Sequence, residues 1–455
     1  MNIVSKLKNF IFVLFAFSIP SSVALTNILI VLFTLLWNYE FFLDFFYKKE
    51  KALKEIMIFI FLGPLMGTVI GMIDVFYPID AAEEISSSVI VALLTTFFGL
   101  NLATILWKIL YDPIKIISNN YWIGSLFLLI ILYLTGLTYG EFHADSNYVI
   151  KRVFLLLFFI PVLTSRLSKL TIEKSIYVFL FTNFLAAAIA ILINLDIIQP
   201  LFSTASISAF LKYNYHNILL SFSSLFCFVL YVKSKHKFSF IYLFLILIYT
   251  LSIFTEAGRA GQLTFNLFFL LFAIYYLKNH IKYSLSIFVF LSIVNYFSYS
   301  NSPIFKHRVD HLTHVVINDG ERKNKKTKEK DIRYLFTKHG LELISKKPFF
   351  GYGTGSFSDV FKTNTQTSYD LKKHKTPHNN YLYVLFELGL IGLLVFLSIF
   401  FFQIQELYNN NMKNPEVLLL PFFLILLMFF DSYMFIFSIT LFYIYMYKIF
   451  KNIFN

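Results

Sequence analysis

Long unbroken apolar runs, each of about 18 residues or more, dominate this chain and decide what it can become. A run of that length crosses the hydrocarbon core of a bilayer as a single helix. Inside lipid the backbone has no water to bond, so only helices and closed barrels span it. No soluble core needs so much apolar surface: 58% of the 455 residues are hydrophobic and only 14% are charged. The expectation is an all-α, polytopic integral membrane protein.

Apolar length places spans near 9–21, 23–40, 54–77, 87–110, 121–139, 149–165, 175–195, 214–232, 238–255, 261–277, 282–299, 378–402, 416–430 and 432–449. That gives about 12–14 crossings, with the first and last pairs the least distinct. The N-terminal "MNIVSKLKNFIFVLFAFSIPSSVAL" resembles a signal peptide, but the apolar run resumes at once. It is therefore read as the first span.

Charge orients the spans. With Lys6 and Lys8 inside, alternation puts the basic "YKKEKALKE", "SRLSKLTIEK" and "VKSKHK" inside too, and the acidic "DAAEE", "GEFHADS" and "DIIQP" outside. The net charge of +13 is thus the signature of inner loops. No basic helix with interleaved aromatics stands apart from the spans, which excludes nucleic-acid binding. The only cysteine, Cys227, excludes a disulfide or a cysteine metal site within one chain.

Three regions follow: helices over 1–299, a long outer loop over 300–377, and helices over 378–455. A loop beyond about 60 residues is exempt from the charge rule, so its lysines do not forbid an outside placement. Its "DGERKNKKTKEK" reads as a solvated insertion or a patch for anionic lipid headgroups. After it, Ile332, Leu335, Phe336 and Leu343 recur at helical spacing, which predicts an amphipathic helix on the outer membrane surface.

"TPHNNYLYVLFELGLIG" then opens a span. Thr376 suits an N-cap and Pro377 the first helical position, so His378 is expected in the first turn, sharing a face with Gly389 and Gly392. Those glycines would admit a neighbouring helix. A helix N-terminus disfavours imidazolium and leaves the neutral ring a general base needs. From position alone, His378 is either that base or a histidine hydrogen-bonded at the lipid interface.

His378-Asn379, then Gly389 and Gly392, is similar to the signature of bacterial O-antigen ligases. "DIRYLFTKHGLELISKKPFFGYGTGSF" resembles the outer-loop segment of that family, and "FTEAGRAGQLTF" its arginine segment, without the serine usual before the arginine. The resemblance runs from about Phe254 to Phe402; before it only the hydropathy agrees. It implies a GT-C-type glycosyltransferase of the bacterial inner membrane, with its site facing the periplasm. Such an enzyme moves a glycan from undecaprenyl diphosphate to lipid A–core, with no metal or other cofactor. Relatives of the family polymerise O-antigen or glycosylate proteins from the same donor. A transporter would instead show internal repeats and several mid-membrane charges.

A lipid diphosphate leaving group needs cations, and no acidic pair is placed at an outer loop to hold a metal. Arginine forks match phosphate oxygens. Arg259, between Gly258 and Gly261, Arg333 at the start of the surface helix, and Arg308 are the candidates. Each has an alternative reading as an interface or solvated charge, and Arg259 has Glu256 as a possible ion-pair partner. Arg152, Arg166 and Arg322 read as inner-loop or solvated charges. "GYGTGSF" either cradles phosphate or makes the tight turn back to the site. His216 is expected at an outer helix mouth, satisfied or touching ligand, and Asp431 at the outer turn of the last hairpin with a minor acceptor role. His307, His311, His314, His339 and His374 lack zinc-like spacing. Glu387, an acid inside a span half a turn from His378, is expected to make an interhelical hydrogen bond.

Overall fold

A computed structural model of the chain describes residues 3–47, 121–200, 208–234, 239–310, 313, 332–364, 374–410 and 415–453, apart from a few positions inside these stretches. The expected spans at 54–77 and 87–110, the lysine run at 322–330, and Arg308, Arg322, His311 and His314 lie outside the described residues. The described elements are helices, with no strand among them: α1 (Ile3–Ser21), α2 (Val23–Tyr47), α3 (Tyr121–Tyr139), α4 (Ser146–Leu155), α5 (Phe159–Thr164), α6 (Lys169–Asn194), α7 (Tyr213–Lys233) and α8 (Phe240–Thr255). They continue as α9 (Arg259–Tyr276), α10 (Ile281–Asn301), α11 (Ile332–Ile344), α12 (Phe357–Asn364), α13 (Asn380–Asn410), α14 (Leu419–Leu427) and α15 (Phe437–Ile453). Among the described residues, eight helical stretches are long and apolar enough to cross a membrane. The protein is an all-α, multi-pass membrane protein.

Helix α13 lies along α3, α7 packs on α8 and α9, and α1 packs on α2 and α6. Aromatic rings fill the centre: Trp122 meets Phe159 edge-on at 5.3 Å, and Phe159 meets Tyr443 at 5.8 Å. Several polar groups in the bundle bond across helices. Tyr249 donates to the Leu180 carbonyl at 2.7 Å, and Ser221 and Thr264 lie 3.2 Å apart. Helix α10 has the inverse distribution, with Leu285, Val289, Ile293 and Phe297 all exposed, as befits a helix at the lipid-facing edge.

Both ends of the bundle carry ion pairs. At one end Lys451 pairs with Glu406, and Lys448 donates to the carbonyls of Leu163 and Ser165, each at 2.7 Å. At the other end, loops that charge alternation puts outside meet one another. His143 bonds Asp359 at 3.2 Å and Lys375 pairs with Asp145 at 2.9 Å.

Helix α13 is interrupted at Gly389, whose φ of 66° and ψ of −165° are not helical. The chain segment around Pro348–Gly353 fills the break and takes up backbone groups on both sides of it. Leu390 N–H donates to Pro348 at 2.8 Å and Ile391 N–H to Phe349 at 3.3 Å. In return, Tyr352 N–H donates to Phe386 at 3.0 Å and Gly353 N–H to Glu387 at 2.9 Å. A Cβ at Gly389 would lie 2.3 Å from the Phe349 carbonyl, and one at Gly351 would lie 2.6 Å from the Glu387 backbone. This corrects the expectation that Gly389 and Gly392 admit a neighbouring helix. Gly389 admits a loop, and the atoms nearest a Cβ at Gly392 belong to Leu388 of its own helix.

The same insertion answers two further expectations. Glu387, fully buried, accepts from Gly355 N–H at 3.0 Å, so its partner is the returning loop and not another helix. The "GYGTGSF" glycines serve backbone packing: a Cβ at Gly353 would lie 2.7 Å from atoms of Gly136 and Gly140. This loop is thereby locked to α3 and α13.

Helix α11 forms as its spacing predicts. Its buried residues Phe336, Leu343 and Ile344 face protein, with Phe336 against Phe357 at 5.4 Å and Phe361 at 5.1 Å. The apolar face expected on a membrane surface is thus used to cover the mouth of α13.

Candidate active site

The segment before α13 is not helical. Pro377 disfavours helical backbone in the residue before it, and His378 has φ of 55°, in the left-handed region. Such a conformation costs a non-glycine residue about 1–3 kcal/mol and persists only where surrounding contacts over-determine it. Asn379 is the cap: its Oδ1 accepts from Leu382 N–H at 3.0 Å, and its carbonyl from Tyr383 N–H at 3.0 Å. His378 therefore lies just outside the helix, not in its first turn. The reason is that asparagine competes well for the cap, three residues beyond Thr376.

What holds His378 in place is the turn after α14. Asn380 N–H donates to Met428 at 2.9 Å, and its side-chain oxygen accepts from Met434 N–H at 3.0 Å. Tyr381 donates to the Ile425 carbonyl at 2.6 Å, and Asn379 Nδ2 to Phe429 at 3.4 Å. Across this seam, His378 Nδ1 lies 3.0 Å from Asp431 Oδ1, which also accepts from Ser432 N–H at 2.7 Å. Burial pushes the Asp431 carboxyl up. The His378 hydrogen bond and charge, the Ser432 N–H and the Arg333 guanidinium outweigh it and hold the group below the ordinary carboxylate range. An ionised carboxylate on Nδ1 fixes which ring nitrogen carries the proton. On the other side, His378 Nε2 lies 3.1 Å from His374 Nδ1.

Cations ring this group. Arg333, exposed on the first turn of α11, is close enough for its charge to act on Asp431. Arg152 donates to the Phe435 carbonyl and lies 4.0 Å over the Tyr148 ring, which Lys375 also approaches at 4.9 Å. Asp431 acts electrostatically on Tyr148, Tyr215 and Tyr433. The structure thus moves Arg152 from the inner-loop or solvated group to the mouth that holds His378.

Arg259 opens α9 and is exposed. Its flanking glycines face protein: a Cβ at Gly258 or Gly261 would lie 2.5 Å from atoms of Asn217. Asn217 Nδ2 donates to Ile253 at 3.1 Å and fixes the turn that leads to Arg259. Glu256, expected as a possible partner, accepts from Ser208 at 2.8 Å and Asn194 at 3.1 Å, and burial pushes its carboxyl up. His216 is buried between α7 and α8, with Nε2 3.2 Å from Ser252 Oγ. It braces α7 on α8.

His374, Arg152 and the pairing of Asp431 with His378 were not visible as site features in the sequence. An acid ending the apolar run "LILLMFFD" was the available signal for Asp431. For His374 and Arg152 only the fold supplies one. Among the described residues no group of three acidic, histidine or cysteine side chains is placed to hold a metal ion.

Residues 238–397 match the family described as O-antigen ligase, so the resemblance covers α8 to the middle of α13 and includes His378 and Arg333. A second match, to the MotA/TolQ/ExbB proton channel family, covers residues 47–121 and contains no residue of the site. Two proteins whose names carry the words "polysaccharide ligase" are similar over short stretches. One, from Rickettsia conorii, is 35% identical over 78 residues, 16% of this chain and 18% of the relative. The other, from Rickettsia typhi, is 34% identical over 95 residues, 19% of this chain and 23% of the relative. The chain thus spans about a fifth of the length of these curated relatives.

Proposed function

We propose that this protein, similar to O-antigen ligases over 238–397, transfers a glycan from undecaprenyl diphosphate to lipid A–core at the periplasmic face of the bacterial inner membrane. The single observation that carries the reading is the carboxylate-bound imidazole, held in a left-handed turn among arginines. Asp431 keeps the proton on Nδ1, so neutral His378 serves as the base for the acceptor hydroxyl. The acceptor oxygen attacks the anomeric carbon as the bond to the diphosphate oxygen breaks. Arg333 and Arg259 would receive the charge gathering on the leaving diphosphate, by forked hydrogen bonds that need no metal. A single displacement inverts the anomeric carbon. Arg308, His216 and Asn379 are given no chemical step: Arg308 is outside the described residues, His216 braces α7 on α8, and Asn379 caps α13.

The regional division at 300–377 fits this reading, because α11 covers the base, with the Phe336 ring 6.3 Å from the His378 ring. Purified protein in proteoliposomes tests it, with a lipid diphosphate-linked glycan and lipid A–core supplied together. A glycan-bearing core and released undecaprenyl diphosphate are expected in equal amounts. Transfer onto a growing glycan or a protein hydroxyl, with the core left bare, would move the acceptor to that class. Donor left intact with every acceptor would end the reading.

A further inference from the structure

Charges at the mouth do not all cancel. Lys375 is paired with Asp145 at 2.9 Å, and Asp431 serves His378, with the Arg333 charge acting on it. Arg152 has no carboxylate bonded to it among the described residues. Its contacts there are the Phe435 carbonyl, which accepts an N–H, and the Tyr148 ring, 4.0 Å from the guanidinium. A guanidinium carries several further N–H donors, which are left for water or a ligand. The side chain is partly buried in the second turn of α4, inside a stretch long and apolar enough to cross a membrane. A cation kept there without a counter-charge costs stability that a bound anion recovers.

The place of Arg152 indicates which anion. It is bonded to the turn Tyr433–Phe435, which follows directly on the carboxylate that holds the base. In a single displacement the attacking hydroxyl and the leaving diphosphate lie on opposite sides of the anomeric carbon, and the base belongs to the hydroxyl's side. Arg259 and Arg333, given to the diphosphate in the transfer reading, come from α9 and α11, within the segment that matches the family. Arg152 comes from α4, outside that segment. Its charge acts on Tyr148 and on Tyr215, in the first turn of α7, and so does that of Asp431. Both phenols are partly exposed, and such rings offer an apolar face and a polar tip, the combination that suits a sugar.

We propose that Arg152 is an anion clamp for the acceptor: it binds a phosphate or carboxylate carried by the acceptor glycan near the reacting hydroxyl, and so selects acidic acceptors. This rests on the transfer reading above and names the acceptor class for the same site. The guanidinium fork matches either anion. Its bond to Phe435 fixes the fork relative to Asp431 and His378, so an anion held there sets which hydroxyl meets the base. Tyr148 and Tyr215 flank the sugar that carries the anion.

The test measures binding of deacylated lipid A–core glycan to the purified protein by calorimetry without donor, and then transfer to the intact acceptor in proteoliposomes. The glycan is used untreated, after phosphatase, and after amidation of its carboxylates. Arg152→Gln should weaken binding of the untreated glycan about 10–100-fold, the worth of one charge-assisted contact, and raise the acceptor KM alike, with the donor KM unchanged. Arg152→Lys, which keeps the charge and loses the fork, should fall in between. One of the two treatments should weaken binding to wild type by a similar factor and have no further effect on Arg152→Gln; which one does so tells phosphate from carboxylate. A purely structural role would weaken all three glycans equally in the variant and leave the wild-type preference in place, which overturns the clamp. So would wild-type binding within threefold for all three glycans, whether or not Arg152→Gln folds. A raised donor KM with acceptor binding intact would put Arg152 on the diphosphate and also overturn it. Anion-dependent binding through Arg152 with no transfer by wild type would keep the clamp and remove the transfer reading.

Discussion

Asp431→Asn removes one charge and almost no volume, so it isolates what the carboxylate does for His378. A hydrogen bond to a charged group contributes about 1.5–3 kcal/mol and a neutral one about 0.5–1.5, a difference near 1.5 kcal/mol. The imidazolium that forms during transfer also loses its counter-charge. The side chains of His378 and Asp431 are 26% and 20% exposed, so solvent screens the pair. Screening limits that second contribution to about 1 kcal/mol. Together they predict a fall of about 30–100-fold in kcat, at about 1.4 kcal/mol per factor of ten. KM for the donor should hold, because Asp431 bonds the base and not the diphosphate. Initial rates against donor concentration, in proteoliposomes with matched protein, measure both. The Asp431 carboxyl is held below its ordinary range in the folded protein. The stabilisation it gives is then present above about pH 4 and lost only as pH falls through the depressed value. The Asp431 carboxylate should accordingly stay ionised throughout an assay between about pH 5 and 9. A variant within threefold of wild type, or a loss confined to KM, would refute the assignment.

Arg333→Lys and Arg259→Lys, which keep charge but lose the fork, should each cut transfer about tenfold or more, whereas neutralising Lys323, Lys325, Lys326 and Lys328 together should change it less than threefold. The reverse order, read from rates at saturating donor, would place the donor on the lysine run. Transfer should continue in excess chelator, and loss restored by magnesium or manganese would show a metal at the diphosphate. Gly389→Ala should cost at least about 1–3 kcal/mol from its positive φ alone. A lower melting temperature in detergent checks this, and an unchanged one would mean that the Pro348–Gly353 loop does not fill the break.

The helices were legible because lipid leaves the backbone few choices, and the apolar runs at 121–139 and 175–195 coincide with α3 and the body of α6. The candidate site was legible in part. His378 stood out as a histidine at the mouth of an apolar segment, but its backbone did not. Thr376-Pro377 reads as a helix start, and only the seam to Met428 and Met434 shows why the helix waits for Asn380. Gly389 read as a small residue for helix packing because a period of 3.6 says nothing about a loop returning from 38 residues earlier in the chain, near Gly351. Asp431 is 53 residues from His378, and such pairings exist only once α13, α14 and α15 are packed. Arg152 was assigned by the charge of its neighbourhood, whereas its place depends on α4 leaning on the Tyr433–Phe435 turn.

The central claim is that His378 lies at the base of the proton path for glycosyl transfer. The most direct measurement is single-turnover transfer by His378→Ala, with wild type alongside, after circular dichroism and melting have shown both to be folded. The account predicts a rate lower by about 10²–10⁴-fold with donor binding preserved. A His378→Ala rate within a few-fold of wild type would contradict it.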